Sequence, residues 1–141
     1  MQQPFVILLV DDDAFILEVL RIQLERILPE NVVVERALSP MEAMQLLQEW
    51  KGAGMKELAL IVSDYLMPEM LGSEFLLSAN QLFPKTKKMM LTGQAEIENV
   101  VKVLQEMSLF RFVSKPWEPQ LMNKAVLDAV AEFEYYYQLE R

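Results

Sequence analysis

Two short apolar runs in this chain end in acidic residues. Phe5–Val10 is followed by Asp11–Asp13, and Leu58–Ser63 is followed by Asp64. Short, unbroken apolar runs of this kind are typical of buried parallel β-strands. If the two strands are neighbours, their carboxylates meet at one edge of a sheet and cannot all stay ionised without a counter-charge. The pattern therefore predicts a site for a hard cation, with one carboxylate available as a nucleophile.

The rest of the chain alternates strand-like and helix-like segments. Strands are predicted at about 5–10, 32–37, 58–63, 88–91 and 110–113, and helices at about 14–28, 40–50, 72–83, 95–107 and 118–137. The buried stripe predicted for the first helix consists of Ile16, Val19, Leu20, Leu24 and Ile27. Five strand-then-helix units predict one doubly wound α/β domain over residues 1–141, with its core at about 5–135.

Five polar residues follow the predicted strands at corresponding positions. Asp11, Asp12, Asp64 and Thr92 come directly after strands, and Lys115 lies just past the fifth. Ligands of such sheets bind beyond the carboxyl ends of the strands. The alternation alone therefore predicts that these five side chains share one edge.

The composition excludes several kinds of chemistry. The 141 residues carry a net charge of -8 and include neither cysteine nor histidine. Thiolate chemistry, imidazole base catalysis and His-ligated zinc are therefore excluded. The negative charge does not favour nucleic acid as a direct partner. We found no signal peptide and no run of membrane-spanning length, so we expect a soluble, cytoplasmic chain without a membrane partner.

Four segments, in order, resemble the receiver domain of two-component response regulators, the CheY-like superfamily. They are Ile7–Asp12, Val62–Gly72, Met90–Gly93 and Phe112–Pro116. The resemblance covers about residues 5–135. It implies a flavodoxin-like, five-stranded parallel sheet of order 2-1-3-4-5 with five helices.

The resemblance also implies roles for the residues at the sheet edge. Asp64 would be the phosphoacceptor, and Mg²⁺ would be held by Asp11, Asp12, Asp64 and the backbone carbonyl of Leu66. Mg²⁺ suits a set of carboxylate and carbonyl oxygens. The donor would be a sensor histidine kinase or a phosphotransfer protein.

Three more residues would bind the phosphoryl group or respond to it. Thr92 would bond its oxygens, Lys115 would pair with them, and Phe112 would be the switch aromatic. Signalling would use the fourth and fifth predicted helices with the fifth strand (about 95–107, 118–137 and 110–113), which we call the switch face. Its partner would be a downstream protein, a fused output domain or a second copy of the chain in a homodimer.

Two other functions fit parts of the pattern. Asp11–Asp13 contains the Asp-x-Asp of haloacid dehalogenase-type phosphatases, but that class needs a further acidic pair after its lysine. A phosphorylation-independent scaffold or dimerisation module would use the switch face without Asp64. Asp13 itself is predicted mainly as a helix N-cap. The last helix either ends with the chain or continues into a linker of a longer protein, and the sequence leaves both open.

Overall fold

The five strands form one parallel sheet. The computed structural model describes residues 3–93 and 109–140. The strands are β1 (Phe5–Val10), β2 (Val32–Ala37), β3 (Leu58–Asp64), β4 (Lys87–Thr92) and β5 (Arg111–Ser114). Their order is β2-β1-β3-β4-β5, and every neighbouring pair is parallel. The predicted fold class and strand order are confirmed.

Four helices lie within the described residues. They are α1 (Ala14–Glu25), α2 (Pro40–Gly52), α3 (Gly72–Leu82) and a C-terminal helix (Pro119–Leu139). The predicted helix at 95–107 lies outside the described residues. The first helix is shorter than predicted, because the amides of Ile27 and Leu28 both bond to the Leu24 carbonyl and form a turn before Pro29.

Helices cover both faces of the sheet and give it two cores. All residues of β1 and β3 are buried, as a sheet covered on both sides requires. The first core joins one face to α1 and the C-terminal helix, and the second joins the other face to α2 and α3. Alternate residues of β1 serve the two cores.

One face of α1 exposes apolar side chains to solvent. Its buried residues are Leu17, Leu20 and Leu24, whereas Phe15, Val19 and Ile22 are exposed, Phe15 by 74%. The predicted burial of Val19 is therefore wrong. Apolar residues lie on more than one side of this helix, and the rotation that buries Leu17 and Leu24 turns Val19 outward.

Candidate functional site

The loop after β1 supplies two carboxylates to the sheet edge. Asp11 is buried and Asp12 is exposed. Asp13 is the N-cap of α1, where its carboxylate accepts hydrogen bonds from the amides of Phe15 at 2.9 Å and Ile16 at 3.3 Å. The predicted cap role of Asp13 is confirmed, and the other two carboxylates remain for the edge.

The third carboxylate comes from β3, the strand beside β1. Asp64 is the last residue of β3, not the first residue after it as predicted. The two strands are in register, with Val10 opposite Ser63. One carboxylate oxygen each of Asp11, Asp12 and Asp64 lies within 4.8 Å of the other two. The parallel pairing of β1 and β3 thus brings these three predicted residues together.

Lys115 joins this cluster from the loop after β5. Its Nζ lies 2.8 Å from Asp64 Oδ1 and 3.0 Å from Asp11 Oδ2. Its backbone amide donates to the Thr92 carbonyl at 2.9 Å, which ties the loop to β4. One ammonium group therefore partly neutralises two buried carboxylates.

Burial and neighbouring charges shift both ionisation equilibria at this contact. The pKa of Asp64 lies above its usual value, mainly because burial disfavours the charged carboxylate. The hydrogen bond from Lys115 lowers this pKa, whereas the negative charge of Asp11 raises it further. Burial lowers the pKa of Lys115, but its bonds to Asp64 and Asp11 outweigh burial and raise it. The lysine is therefore held in its charged form.

An open depression of about 240 Å³ lies beside these charges. Thr92 ends β4, is buried, and donates from its hydroxyl to the Gly93 carbonyl at 3.1 Å. Leu66 lies in the loop after β3 and is exposed. The lining residues are Asp64, Tyr65, Leu66, Thr92, Gly93 and Lys115. A carboxylate, a hydroxyl and an ammonium group therefore meet at one opening.

The loop after β3 folds back onto Asp64 and depends on a glycine. The Gly72 amide donates to the Tyr65 carbonyl at 2.7 Å. A Cβ atom at Gly72 would lie 2.0 Å from the Asp64 carbonyl oxygen, far inside any van der Waals contact. The role of this glycine was not predicted, although it ends the segment that carries the family resemblance. Only glycine allows this approach.

Phe112 lies on the same face of the sheet as Thr92. Met90 is opposite Phe112, and Thr92 is opposite Ser114. Because side chains alternate along a strand, Met90 and Thr92 point to one face, together with their partners in β5. Phe112 is partly buried and packs against the second core, which contains Met90.

A polar contact beyond Lys115 was not predicted. Trp117 packs against the first core. Its indole Nε1 also donates to Gln23 Oε1 at 3.0 Å. A glutamine inside an amphipathic helix carries no sequence signal for a partner 94 residues away.

The arrangement suits a small, hard cation. Three carboxylates supply the oxygen ligands that such ions prefer. The cluster of Asp11, Asp12 and Asp64 is the only such acidic group among residues 3–93 and 109–140. The acids after Lys115 serve elsewhere, since Glu118 caps the C-terminal helix and Asp128 pairs with Lys124. The second acidic pair of the phosphatase alternative is thus not found in the described part of the chain.

None of the helices in residues 3–93 and 109–140 is both long and apolar enough to cross a bilayer.

Comparisons with known proteins agree with the fold. The chain is 30% identical over 124 residues to the hydrogenase transcriptional regulatory protein HoxA of Bradyrhizobium diazoefficiens, covering 88% of this chain and 24% of that protein. It spans about a quarter of the length of the curated relatives it matches.

Solved receiver structures superpose over nearly the whole chain. A signal receiver domain of an HD domain-containing protein from Pseudomonas fluorescens Pf-5 is 27% identical, with a TM-score of 0.82 and coverage of 98% and 95%. A CheY-like response regulator receiver domain protein from Methanospirillum hungatei JF-1 is 30% identical, with a TM-score of 0.78 and coverage of 95% and 99%. Residues 7–127 match the family described as the response regulator receiver domain. The chain therefore belongs to the response regulator receiver domain family.

Proposed function

We propose that Asp64 accepts a phosphoryl group from a sensor histidine kinase or a phosphotransfer protein. A carboxylate oxygen of Asp64 attacks phosphorus while the bond to the donor nitrogen breaks, and the imidazole of the donor leaves. The supporting observation is the 2.8 Å contact between Lys115 Nζ and Asp64 Oδ1. This places fixed positive charge where the equatorial phosphoryl oxygens gain negative charge, and Thr92 adds a hydroxyl donor. Gain and loss of this group on Asp64 is the only reaction proposed for the chain.

Asp11, Asp12, Asp64 and the backbone carbonyl of Leu66 are the proposed ligands of Mg²⁺. The three clustered carboxylates fit the oxygen preference of that ion. When bound, it would reduce the repulsion between the attacking carboxylate and the anionic phosphoryl group. Lys115 then transfers its contact from Asp11 to the phosphoryl oxygens.

The proposed response passes from Thr92 to Phe112. The Thr92 hydroxyl turns towards the phosphoryl group, and the ring of Phe112 moves into the space left on the same face. A local charge change of about -1.5 to -2 thereby biases a two-state element, the switch face. We further propose that residues 1–141 form one receiver domain that acts on a downstream protein or output domain, since relatives such as HoxA are named transcriptional regulators.

The exposed apolar stripe of α1 is the proposed contact for the phosphodonor. Phe15, Val19 and Ile22 lie on one side of the helix that begins directly after the acidic loop. A donor must bring its phosphohistidine to Asp64, so the surface of the donor must also cover the residues around the acidic loop. Exposed apolar residues supply the contact area that such a partner buries.

Intact-protein mass after incubation with acetyl phosphate and Mg²⁺ tests the proposal. The wild type should gain one phosphoryl group, and both a chelator and Asp64→Asn should abolish the gain. Asparagine has nearly the shape of aspartate, and an unchanged thermal unfolding curve would verify that the variant is folded. A wild type that neither gains mass nor binds beryllofluoride would contradict the proposal and favour the scaffold alternative.

A further inference from the structure

The segment that carries Lys115 is short and connects two elements. It covers 115–118, between the end of β5 at Ser114 and the start of the C-terminal helix at Pro119. One end is tied to β4 by the bond from the Lys115 amide to the Thr92 carbonyl at 2.9 Å. A lysine side chain is flexible, so its backbone must be fixed if its ammonium group is to stay at one site.

The other end of this segment is held by Gln23 of α1. Gln23 Oε1 accepts the Trp117 indole N–H at 3.0 Å, and Gln23 Nε2 donates to the Pro119 carbonyl at 3.1 Å. The same Nε2 donates to Asn123 Oδ1 at 2.7 Å. Both amide hydrogens and the carbonyl oxygen of one side chain are therefore engaged with the lysine segment and the helix that follows it.

A purely structural explanation accounts for only part of this contact. A partly buried indole N–H needs an acceptor, and Gln23 supplies one. That need does not require the two further bonds, which reach the first residue of the C-terminal helix and a residue one turn beyond it. Together the three bonds fix the distance between α1 and the end of the segment. Because α1 also begins directly after the loop that carries Asp11, the same helix adjoins both partners of the Lys115–Asp11 ion pair.

We propose that Gln23 is a positioning residue that acts through Lys115, an inference that rests on the proposed phosphoryl transfer to Asp64. The carboxamide holds the 115–118 segment against α1, so that Lys115 Nζ stays within reach of Asp64. Loss of this contact would let the ammonium group move away from the transferring phosphoryl group. Displacements of about 1 Å in such positioning contacts cost up to about a hundredfold in rate.

The test compares acetyl phosphate labelling rates of Gln23→Ala and Trp117→Phe with the wild type, at saturating Mg²⁺. Trp117→Phe keeps most of the packing and removes only the indole donor, which guards against a Gln23 variant that fails to fold. We expect Gln23→Ala to label about tenfold more slowly and Trp117→Phe to show a smaller loss. In a Lys115→Met background, where labelling is slow and is followed over hours, Gln23→Ala should not reduce the labelling rate further.

The Mg²⁺ affinity of the Gln23→Ala variant distinguishes a displaced lysine from a disordered site. Lys115 would compete with the metal for Asp11 and Asp64, so displacement of the lysine should leave Mg²⁺ binding equal or tighter. Disorder of the acidic loop should weaken Mg²⁺ binding. The inference would be overturned if both variants were labelled at the wild-type rate, or if Mg²⁺ binding were weakened. It would also be overturned if Gln23→Ala slowed labelling as much in the Lys115→Met background as in the wild type. A wild type that neither becomes labelled nor binds beryllofluoride would instead refute the proposed function itself.

Discussion

The ammonium group of Lys115 lies 2.8 Å from the carboxylate of Asp64, the proposed phosphoacceptor. The same Nζ is 3.0 Å from Asp11 Oδ2. Lys115 is thus a counter-charge of the acidic cluster. Under the proposed function it would oppose metal binding but favour phosphoryl transfer, and these two effects are separable by experiment.

Replacing Lys115 with methionine should change the two properties in opposite directions. We expect acetyl phosphate labelling to slow by about a hundredfold, the scale seen when one preorganised donor to a developing charge is removed. Mg²⁺ should bind a few-fold more tightly, because the competing cation is gone. Calorimetric titration with Mg²⁺ measures the second effect, and weaker binding in the variant would refute the competition.

Gly72→Ala should damage both stability and labelling. The added Cβ would meet the Asp64 carbonyl oxygen at 2.0 Å, so the loop or the end of β3 must move. Overpacking of this kind costs about 1–3 kcal/mol. Urea unfolding and labelling rates measure the two effects.

Gly52→Ala is the matched control for that substitution. Gly52 ends α2, and a Cβ atom there has no neighbour within 4 Å. The change should leave labelling intact and alter stability by no more than about 0.5–1 kcal/mol, in the stabilising direction. Equal effects of the two alanines would show that the close approach at Asp64 is unimportant.

Phe15→Ala should slow transfer from a protein donor without affecting acetyl phosphate. Phe15 is 74% exposed, so its loss leaves the core unchanged. Truncation of an aromatic anchor at an interface costs more than about 1 kcal/mol, or roughly tenfold in transfer efficiency. The measurement uses a histidine kinase or phosphotransfer protein that labels the wild type, with Leu139→Ala, 63% exposed on the C-terminal helix, as the control. Similar losses in both variants would remove the special role of α1.

A buried lysine away from the site predicts a pH effect on stability. Lys88 Nζ bonds to Asn80 Oδ1 at 2.7 Å and to the Phe83 carbonyl at 2.5 Å. Burial, with a smaller effect of Lys87, lowers the pKa of Lys88 to about 8. The unfolded chain therefore binds more protons than the folded chain above pH 8, and the free energy of unfolding should rise with pH until the unfolded pKa is passed.

Lys88→Met isolates this contribution. Relative to the variant, the wild type should gain about 2 kcal/mol in the free energy of unfolding between pH 7 and pH 9.5. Parallel urea titrations at several pH values measure the difference. A difference that is flat with pH, or that falls, would show that Lys88 keeps an ordinary pKa.

The sequence was sufficient for the features that depend on strand order. Asp11, Asp64 and Lys115 were predicted to share an edge because each follows an apolar run, and parallel strands end on the same side. Three features were not predicted. Val19 was assigned to the wrong side of α1, because both sides of that helix carry apolar residues. The Gln23 contact depends on tertiary packing across 94 residues, and the close approach at Gly72 depends on the path of a loop.

Mapping the phosphoryl group to one residue is the most direct test of the central claim. Wild-type protein labelled with acetyl phosphate and Mg²⁺ is treated with borohydride, which reduces an aspartyl phosphate to homoserine, and then digested and sequenced by mass spectrometry. We predict homoserine at position 64 and unmodified aspartate at Asp11 and Asp12. Homoserine at another aspartate, with Asp64 unmodified, would contradict the assignment of Asp64 as the phosphoacceptor.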